Sequence, residues 1–179
     1  MMETVEIKDK KFSLYISESE IKEEVKKMAA AISSDLEGKR PIFLVILNGS
    51  FIFAADLLRE ISIPCEMKFM RVASYEGTNS TGNVTEVLGL DESIEERTVV
   101  IVEDIIDSGT TMNALLKILE RRSPAEIRIA SLLVKPKNLK VKLEIDYRCF
   151  DIDNDFIVGY GLDYDGEGRN LKEIYKVVD

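Results

Sequence analysis

The residue types best suited to chemistry stand together in the middle of the chain. Two acids, Glu103 and Asp104, follow the apolar run 99–102, and a third acid, Asp107, follows two isoleucines. The small polar residues that come next are Ser108, Gly109, Thr110 and Thr111. A strand, a polar loop and a helix start would offer free backbone N–H groups to a phosphate. The carboxylates would repel a bare phosphate, so they either hold Mg²⁺ or face another group.

Alternating strands and helices must position these residues. The buried run 42–47 predicts a strand that turns at Asn48-Gly49-Ser50 into a helix over 51–60, and the run 98–102 leads into a helix over about 111–121. A further strand, 127–134, ends at Lys135 before a proline. Such units predict an α/β fold: a doubly wound, mainly parallel sheet flanked by helices. Ligands bind beyond the carboxyl ends of such strands, so these polar residues should share one cleft.

The remaining segments predict shorter elements. A strand at 12–16 precedes Ser17-x-x-Glu20, which is a capping-box pattern at the start of a helix reaching about Leu36. Two strands, 65–72 and 85–90, flank the polar stretch 73–84, whose composition alone favours an ordinary surface hairpin. Short elements are predicted near the end of the chain at 145–150, 156–160 and 171–178.

Composition limits the classes of function. The chain has 179 residues, and 45% are hydrophobic, which suits one globular domain. A net charge of −9 argues against binding to nucleic acid or to an anionic membrane. There is no histidine, so Ser-His-Asp and Cys-His catalysis are excluded and proton transfer falls to Asp, Glu, Lys or Tyr.

The cysteines and the chain start favour a cytoplasmic protein. Cys65 and Cys149 lack metal-ligand spacing, and both are interpreted as buried thiols of a reducing compartment. The first ten residues are charged and do not form the apolar core of a signal peptide. No apolar run approaches the ~20 residues of a membrane span.

The motifs resemble those of a known family. Residues 99–112, V-V-I-V-E-D-I-I-D-S-G-T-T-M, look like the phosphoribosyl-pyrophosphate motif of type I phosphoribosyltransferases, in the form of hypoxanthine-guanine phosphoribosyltransferases. Similar matches in family order are L-N-G-S-F-I-F-A-A-D-L (47–57), Ser74-Tyr75, L-L-V-K (132–135) and D-F-I-V-G-Y-G-L-D-Y (155–164) with Arg169. The resemblance implies a small hood formed by terminal segments, with a C-terminal contribution from about 145–179, within a single domain spanning 1–179.

The resemblance also implies an activity. The enzyme would transfer 5-phosphoribosyl from phosphoribosyl pyrophosphate to N9 of hypoxanthine or guanine, giving IMP or GMP and pyrophosphate in purine salvage. Asp107 would be the catalytic base at purine N7, and it would bind the 5′-phosphate together with Ser108, Gly109, Thr110 and Thr111. Glu103 and Asp104 would face the ribose diol and Mg²⁺.

Other site residues follow from the same resemblance. Lys135 would donate to purine O6, Phe156 would stack on the base, and the Ile157 backbone and Asp163 would lie near its C2 edge. Asp163 would also hold a second Mg²⁺. Pyrophosphate would contact Asn48, Gly49 and Arg169, with Asn48 standing where many members have lysine. The stretch 73–84 would form a lid that touches substrate through Ser74 and Tyr75.

Several alternatives remain open at this point. Asp107, Ser108 or Thr110 could instead cap the following helix, Lys135 could be a solvated lysine, and Phe156 could be a core residue. The acids at the strand ends also suit a receiver-like domain, and the phosphate loop suits a pyrimidine-type RNA-binding regulator. The resemblance favours small-molecule substrates, no nucleic acid or membrane partner, and a homodimer or homotetramer.

Overall fold

The structure is a computed structural model that describes residues 4–74, 84–88, 90 and 92–178. Its elements in chain order are β1 (Thr4–Ile7), β2 (Lys10–Ile16), α1 (Glu18–Asp35), β3 (Ile42–Leu47), α2 (Phe51–Glu60), β4 (Glu66–Ser74), β5 (Val84–Leu88), β6 (Thr98–Ile106), α3 (Thr110–Glu120), β7 (Glu126–Val134), β8 (Tyr147–Asp151), β9 (Ile157–Val158) and β10 (Ile174–Val178). A 3₁₀ turn, Pro136–Asn138, follows β7.

A six-stranded sheet forms the centre of the molecule. Its strand order is β5-β4-β3-β6-β7-β8, and neighbouring strands are parallel except for the antiparallel edge strand β5. Alternate residues of β3 point to opposite faces: Phe43 and Val45 pack with α1 and α2, whereas Ile42 and Leu44 pack with α3. The predicted doubly wound, mainly parallel sheet is confirmed.

Local sequence explains where α1 begins. The Glu20 N–H donates to Ser17 Oγ at 3.4 Å, and the Ser17 N–H donates to Glu20 Oε2 at 2.9 Å, as the capping-box pattern predicted. Buried side chains at helical spacing, including Ile21, Val25 and Ile32, face the sheet. The helix α2 has the predicted bounds, 51–60.

The two ends of the chain meet in a second, smaller sheet, the hood. It is antiparallel, with strand order β1-β2-β10-β9, and it confirms that terminal segments form such a layer. Tyr164 donates to Asp9 at 2.7 Å, and Lys8 pairs with Asp165, so the turn between β1 and β2 is tied to the loop after β9. The strand β8, predicted as part of the hood, instead pairs with β7 in the large sheet.

Both cysteines are free thiols, but Cys149 is partly buried whereas Cys65 is exposed. Burial raises the pKa of Cys149, in β8, to about 12. Cys65 is exposed, so its predicted burial is wrong; it lies just before β4, where the chain approaches the sheet from the surface. Among the described helices, none is long and apolar enough to cross a membrane.

Candidate active site

The central strand β6 carries two of the candidate acids. Pairing with β7 continues to Ile106, opposite Val134, so the strand is four residues longer than the predicted strand 98–102. Glu103 and Asp104 therefore lie on a central strand of the sheet and not in a loop. Their positions are set by the ladder of backbone hydrogen bonds on this strand.

These two carboxylates form a half-buried acidic pair. Burial, and then the charge of Asp104, raise the pKa of Glu103 well above its usual range. Burial also raises the pKa of Asp104, against backbone N–H donors and the positive charge of Arg169. Among the described residues, no group of three or more His, Cys, Asp or Glu could hold a metal. A pair of oxygen donors suits Mg²⁺, which commonly takes one or two carboxylates and keeps water and substrate oxygens.

The loop after β6 leads into the start of a helix. Gly109 is the N-cap residue of α3 in the left-handed conformation, with φ of +75°, and it has no side chain that could cap the helix. Of the alternatives Asp107, Ser108 and Thr110, Ser108 comes nearest to a capping role, because its Oγ accepts from the Thr110 N–H at 3.4 Å. The hydroxyls of Ser108 and Thr110 lie 2.7 Å apart, and the loop borders a cavity of about 140 Å³. N–H groups and hydroxyls around such a cavity suit a phosphate.

Asp107 and Lys135 come together although they are far apart in sequence. The Lys135 ammonium donates to Asp107 Oδ2 at 3.0 Å, and it lies 3.4 Å from Asn154 Oδ1. Lys135 is only 8% exposed, and its backbone N–H donates to Ile106 O at 2.9 Å. The alternative of a solvated lysine is therefore wrong.

Two asparagines complete this cluster, and the sequence did not indicate either of them. Asn138 Nδ2 donates to Asp107 Oδ1 at 3.0 Å and to Asn154 Oδ1 at 2.7 Å. Partial burial alone would raise the pKa of Asp107, but hydrogen bonds from Asn138 and Lys135, with the positive charges of Lys135 and Lys140, lower it below its usual value. Asp107 is thus an ionised carboxylate within reach of solvent, with 52% of its side chain exposed.

The hood contributes an exposed aromatic side chain. Phe156 is 43% exposed, so the alternative of a core residue is wrong. Its ring lies 5.5 Å from the Tyr164 ring in an edge-to-face arrangement and 6.1 Å from that of Phe12. Ile157 follows in β9 and pairs with Lys176 of β10, which fixes the backbone beside Phe156.

A separate group of residues lies around the turn after β3. The peptide between Leu47 and Asn48 is cis, and Gly49 packs so closely on Asp104 that a Cβ there would overlap the carboxylate. In the hood, Arg169 pairs with Asp163 at 2.7 Å and donates to Gly161 O at 2.7 Å. Gly49, a predicted pyrophosphate residue, therefore lies against Asp104, and Arg169 is paired with Asp163.

The predicted lid falls mostly outside the described residues. Ser74 ends β4 opposite Val84 of β5, so 75–83 connects an antiparallel pair. Tyr75 belongs to that stretch and, like the side chain of Ser74, lies outside the described part of the chain.

A larger cavity of about 610 Å³ lies elsewhere, between α3, β7 and the loop before β8. Its lining includes Arg128, which is already paired with Glu126 at 3.1 Å and Asp146 at 3.3 Å. None of the candidate site residues lines this larger cavity. Its greater volume therefore does not weaken the assignment of the phosphate site to the smaller cavity beside 108–111.

Comparison with known proteins defines the class first. Residues 17–165 match the phosphoribosyl transferase domain family. A hypoxanthine-guanine phosphoribosyltransferase of Streptococcus pneumoniae is 44% identical over 160 residues, which is 89% of each chain. The chain therefore belongs to the phosphoribosyltransferase family and, within it, to the hypoxanthine-guanine phosphoribosyltransferases.

Solved structures agree with this assignment. A hypoxanthine-guanine phosphoribosyltransferase of Bacillus anthracis superimposes with a TM-score of 0.88 at 39% identity, covering 97% of this chain and 99% of that one. A mutant hypoxanthine phosphoribosyltransferase of Trypanosoma cruzi, solved as a ternary substrates complex, has a TM-score of 0.88 at 37% identity and covers 92% and 94%. The enzyme class predicted from the motifs is confirmed.

Proposed function

We propose that this phosphoribosyltransferase transfers 5-phosphoribosyl from phosphoribosyl pyrophosphate to N9 of hypoxanthine or guanine. The observation that carries the proposal is the 3.0 Å contact between Lys135 Nζ and Asp107 Oδ2 beside the phosphate loop. A 6-oxopurine presents the O6 acceptor and N7 side by side on one edge. An ammonium donor next to a carboxylate acceptor complements that edge, whereas the 6-amino group of adenine would face another donor.

The chain's own residues divide the work of transfer. Asp107 accepts the N7 proton while the bond forms at N9, and its lowered pKa keeps it ionised for that purpose. The backbone N–H groups and hydroxyls of 108–111 hold the 5′-phosphate. Arg169 stabilises the negative charge that develops on the departing pyrophosphate, with Asn48 and Gly49 at the turn that receives it.

The acidic pair and Asp163 are the residues that would hold Mg²⁺. Bound there, the cation would offset the charge of the pyrophosphate oxygens. Without a dication, two desolvated carboxylates repel each other, which supports this assignment. Asp163 would exchange its Arg169 partner for a metal or for the base edge when substrate binds.

Phe156 and the stretch 73–84 would enclose the base. The exposed ring of Phe156 offers a face for stacking, and the Ile157 backbone would lie at the C2 edge. Closure of 73–84, with Ser74 and Tyr75 at the substrate, would exclude water and limit hydrolysis of the donor. In keeping with the resemblance, we also propose that the protein is cytoplasmic and forms a homodimer or homotetramer. Light scattering after gel filtration would test the oligomeric state.

A nucleotide-formation assay with four bases tests the proposed reaction. Purified protein, phosphoribosyl pyrophosphate and Mg²⁺ are incubated separately with hypoxanthine, guanine, xanthine and adenine. We expect IMP or GMP to form and adenine to be rejected. Product from adenine alone, or from none of the bases, would contradict the proposal.

A further inference from the structure

Asn138 lies where three loops of the site meet. It ends the 3₁₀ turn after β7, and its single Nδ2 group donates to Asp107 Oδ1, at 3.0 Å, and to Asn154 Oδ1, at 2.7 Å. Asp107 follows β6, and Asn154 lies between β8 and β9. An amide nitrogen carries two hydrogens, so it can serve both acceptors at once. One side chain thus joins the catalytic loop to the segment that leads to Phe156.

The contacts of Asn138 form a closed ring with Lys135. Lys135 Nζ donates to the other oxygen of Asp107, at 3.0 Å, and lies 3.4 Å from the same Asn154 oxygen. Each carboxylate oxygen of Asp107 therefore receives one donor, from Lys135 on one side and from Asn138 on the other. Two donors on opposite oxygens prevent free rotation of the carboxylate.

We infer that Asn138 is a positioning residue for the transfer reaction, which orients the Asp107 carboxylate and, through Asn154, the Lys135 ammonium. The inference rests on the proposed function, because the orientation of Asp107 affects the rate only if Asp107 is the base of the transfer reaction. Removing the amide leaves Asp107 Oδ1 without its donor and frees the carboxylate to rotate. It also removes the contact that keeps Asn154 beside Lys135.

The charges around Asp107 set the sign of the expected pH effect. Lys135 and Lys140 face the carboxylate and favour its ionised form, whereas the nearby Lys137 is paired with Asp153 at 2.6 Å. The Asn138 amide stabilises the same ionised form by hydrogen bonding. Its loss raises the pKa of Asp107, so the acidic limb of the pH–rate profile moves to higher pH.

Two substitutions and a neighbouring control test this role. Asn138→Ala removes the donor, and we expect kcat/KM for hypoxanthine to fall about tenfold to a hundredfold, as for loss of a hydrogen bond to a charged group. Asn138→Asp keeps the size but adds a negative charge, so it moves the acidic limb further. Lys137→Ala alters the same turn without touching Asp107, and its profile stays that of the wild type.

A double variant and a direct titration separate positioning from a merely structural role. In the Asp107→Asn background, Asn138→Ala should cause no further fall in kcat/KM, because Asn138 acts on the reaction by orienting Asp107. In carbon-13 labelled protein, the Asp107 carboxylate should titrate at higher pH in Asn138→Ala than in wild type. Unchanged titration together with an unchanged pH–rate profile would overturn the inference, as would an equal loss in both backgrounds. A shifted titration in a protein that forms no nucleotide would instead refute the proposed function alone.

Discussion

Gly161 of the hood lies directly against Gly49 of the turn after β3. A Cβ on Gly161 would overlap the Gly49 carbonyl oxygen, and a Cβ on Gly49 would overlap the Asp104 carboxylate. The neighbouring Tyr160 donates its hydroxyl hydrogen to Asp56 of α2 at 2.7 Å, which holds the hood loop over this turn. Gly161 therefore packs on the backbone of Gly49, and Gly49 in turn packs on the side chain of Asp104 in the central strand.

Gly161→Ala tests this contact. Gly161 has a φ of +101°, so a side chain costs about 1–2 kcal/mol in backbone strain, and the overlap must displace the turn. We expect kcat/KM for phosphoribosyl pyrophosphate to fall at least about tenfold. The matched control is Gly38→Ala, whose φ is +79° but whose Cβ would have no atom within 4 Å. Equal activity in the two variants would show that the contact has no part in the site.

Asp107→Asn tests the catalytic base. The amide keeps the shape of the side chain but cannot accept a proton, so kcat should fall about 100-fold to 10,000-fold. Binding of IMP, measured by calorimetry, should change far less. A near-normal kcat would refute the assignment of the base.

Lys135→Met tests base recognition. The variant keeps the buried stem and removes the donor to O6, so KM for hypoxanthine should rise about tenfold to a hundredfold. Lys137→Met, at an exposed position two residues further on, is the control and should leave KM unchanged. Wild-type KM in Lys135→Met would mean that another group contacts the base.

Removal of Mg²⁺ tests the acidic pair. Excess chelator should reduce nucleotide formation to background, and added Mg²⁺ should restore it. Glu103→Gln removes one charge, so half-maximal activity should need more Mg²⁺ than in wild type. The proposal fails if full activity persists in the chelator.

Ionisation of Tyr147 should lower the free energy of unfolding at alkaline pH. Burial and then the hydrogen bond to Asp35 raise the pKa of Tyr147 to about 12, against an ordinary value of about 10. Between these values the phenol ionises in the unfolded chain but not in the folded one. The stabilisation is complete below about pH 10 and is lost as pH rises towards about 12. Urea unfolding should show a smaller alkaline loss in Tyr147→Phe.

Local patterns predicted most of the fold. The capping box at Ser17 and the apolar runs at 42–47 and 127–134 set the bounds of α1, β3 and β7 to within a residue or two. These signals are local in sequence, so they could be recognised without tertiary information. The end of β6 was missed because Glu103 and Asp104 are polar, whereas pairing with β7 continues through them.

The contacts between distant loops could not be predicted in this way. Asn138 and Asn154 carry no motif, and only the approach of the loops after β7 and β8 brings their amides to Asp107. Likewise, no pattern relates Tyr160 to Asp56, which are 104 residues apart. Such pairs depend on how the strands are ordered in the sheet, which short-range periodicity does not encode.

Neighbouring side chains restrict the orientation of the Lys135 ammonium. A lysine ammonium ordinarily spins freely and offers three equivalent hydrogens in any direction. Here Asp107 and Asn154 engage two of them, at 3.0 Å and 3.4 Å, which leaves a single N–H with one orientation. The residue would then behave as a directional probe of the base and not as a mobile point charge. Discrimination between a carbonyl and an amino group would come from the angle of one bond.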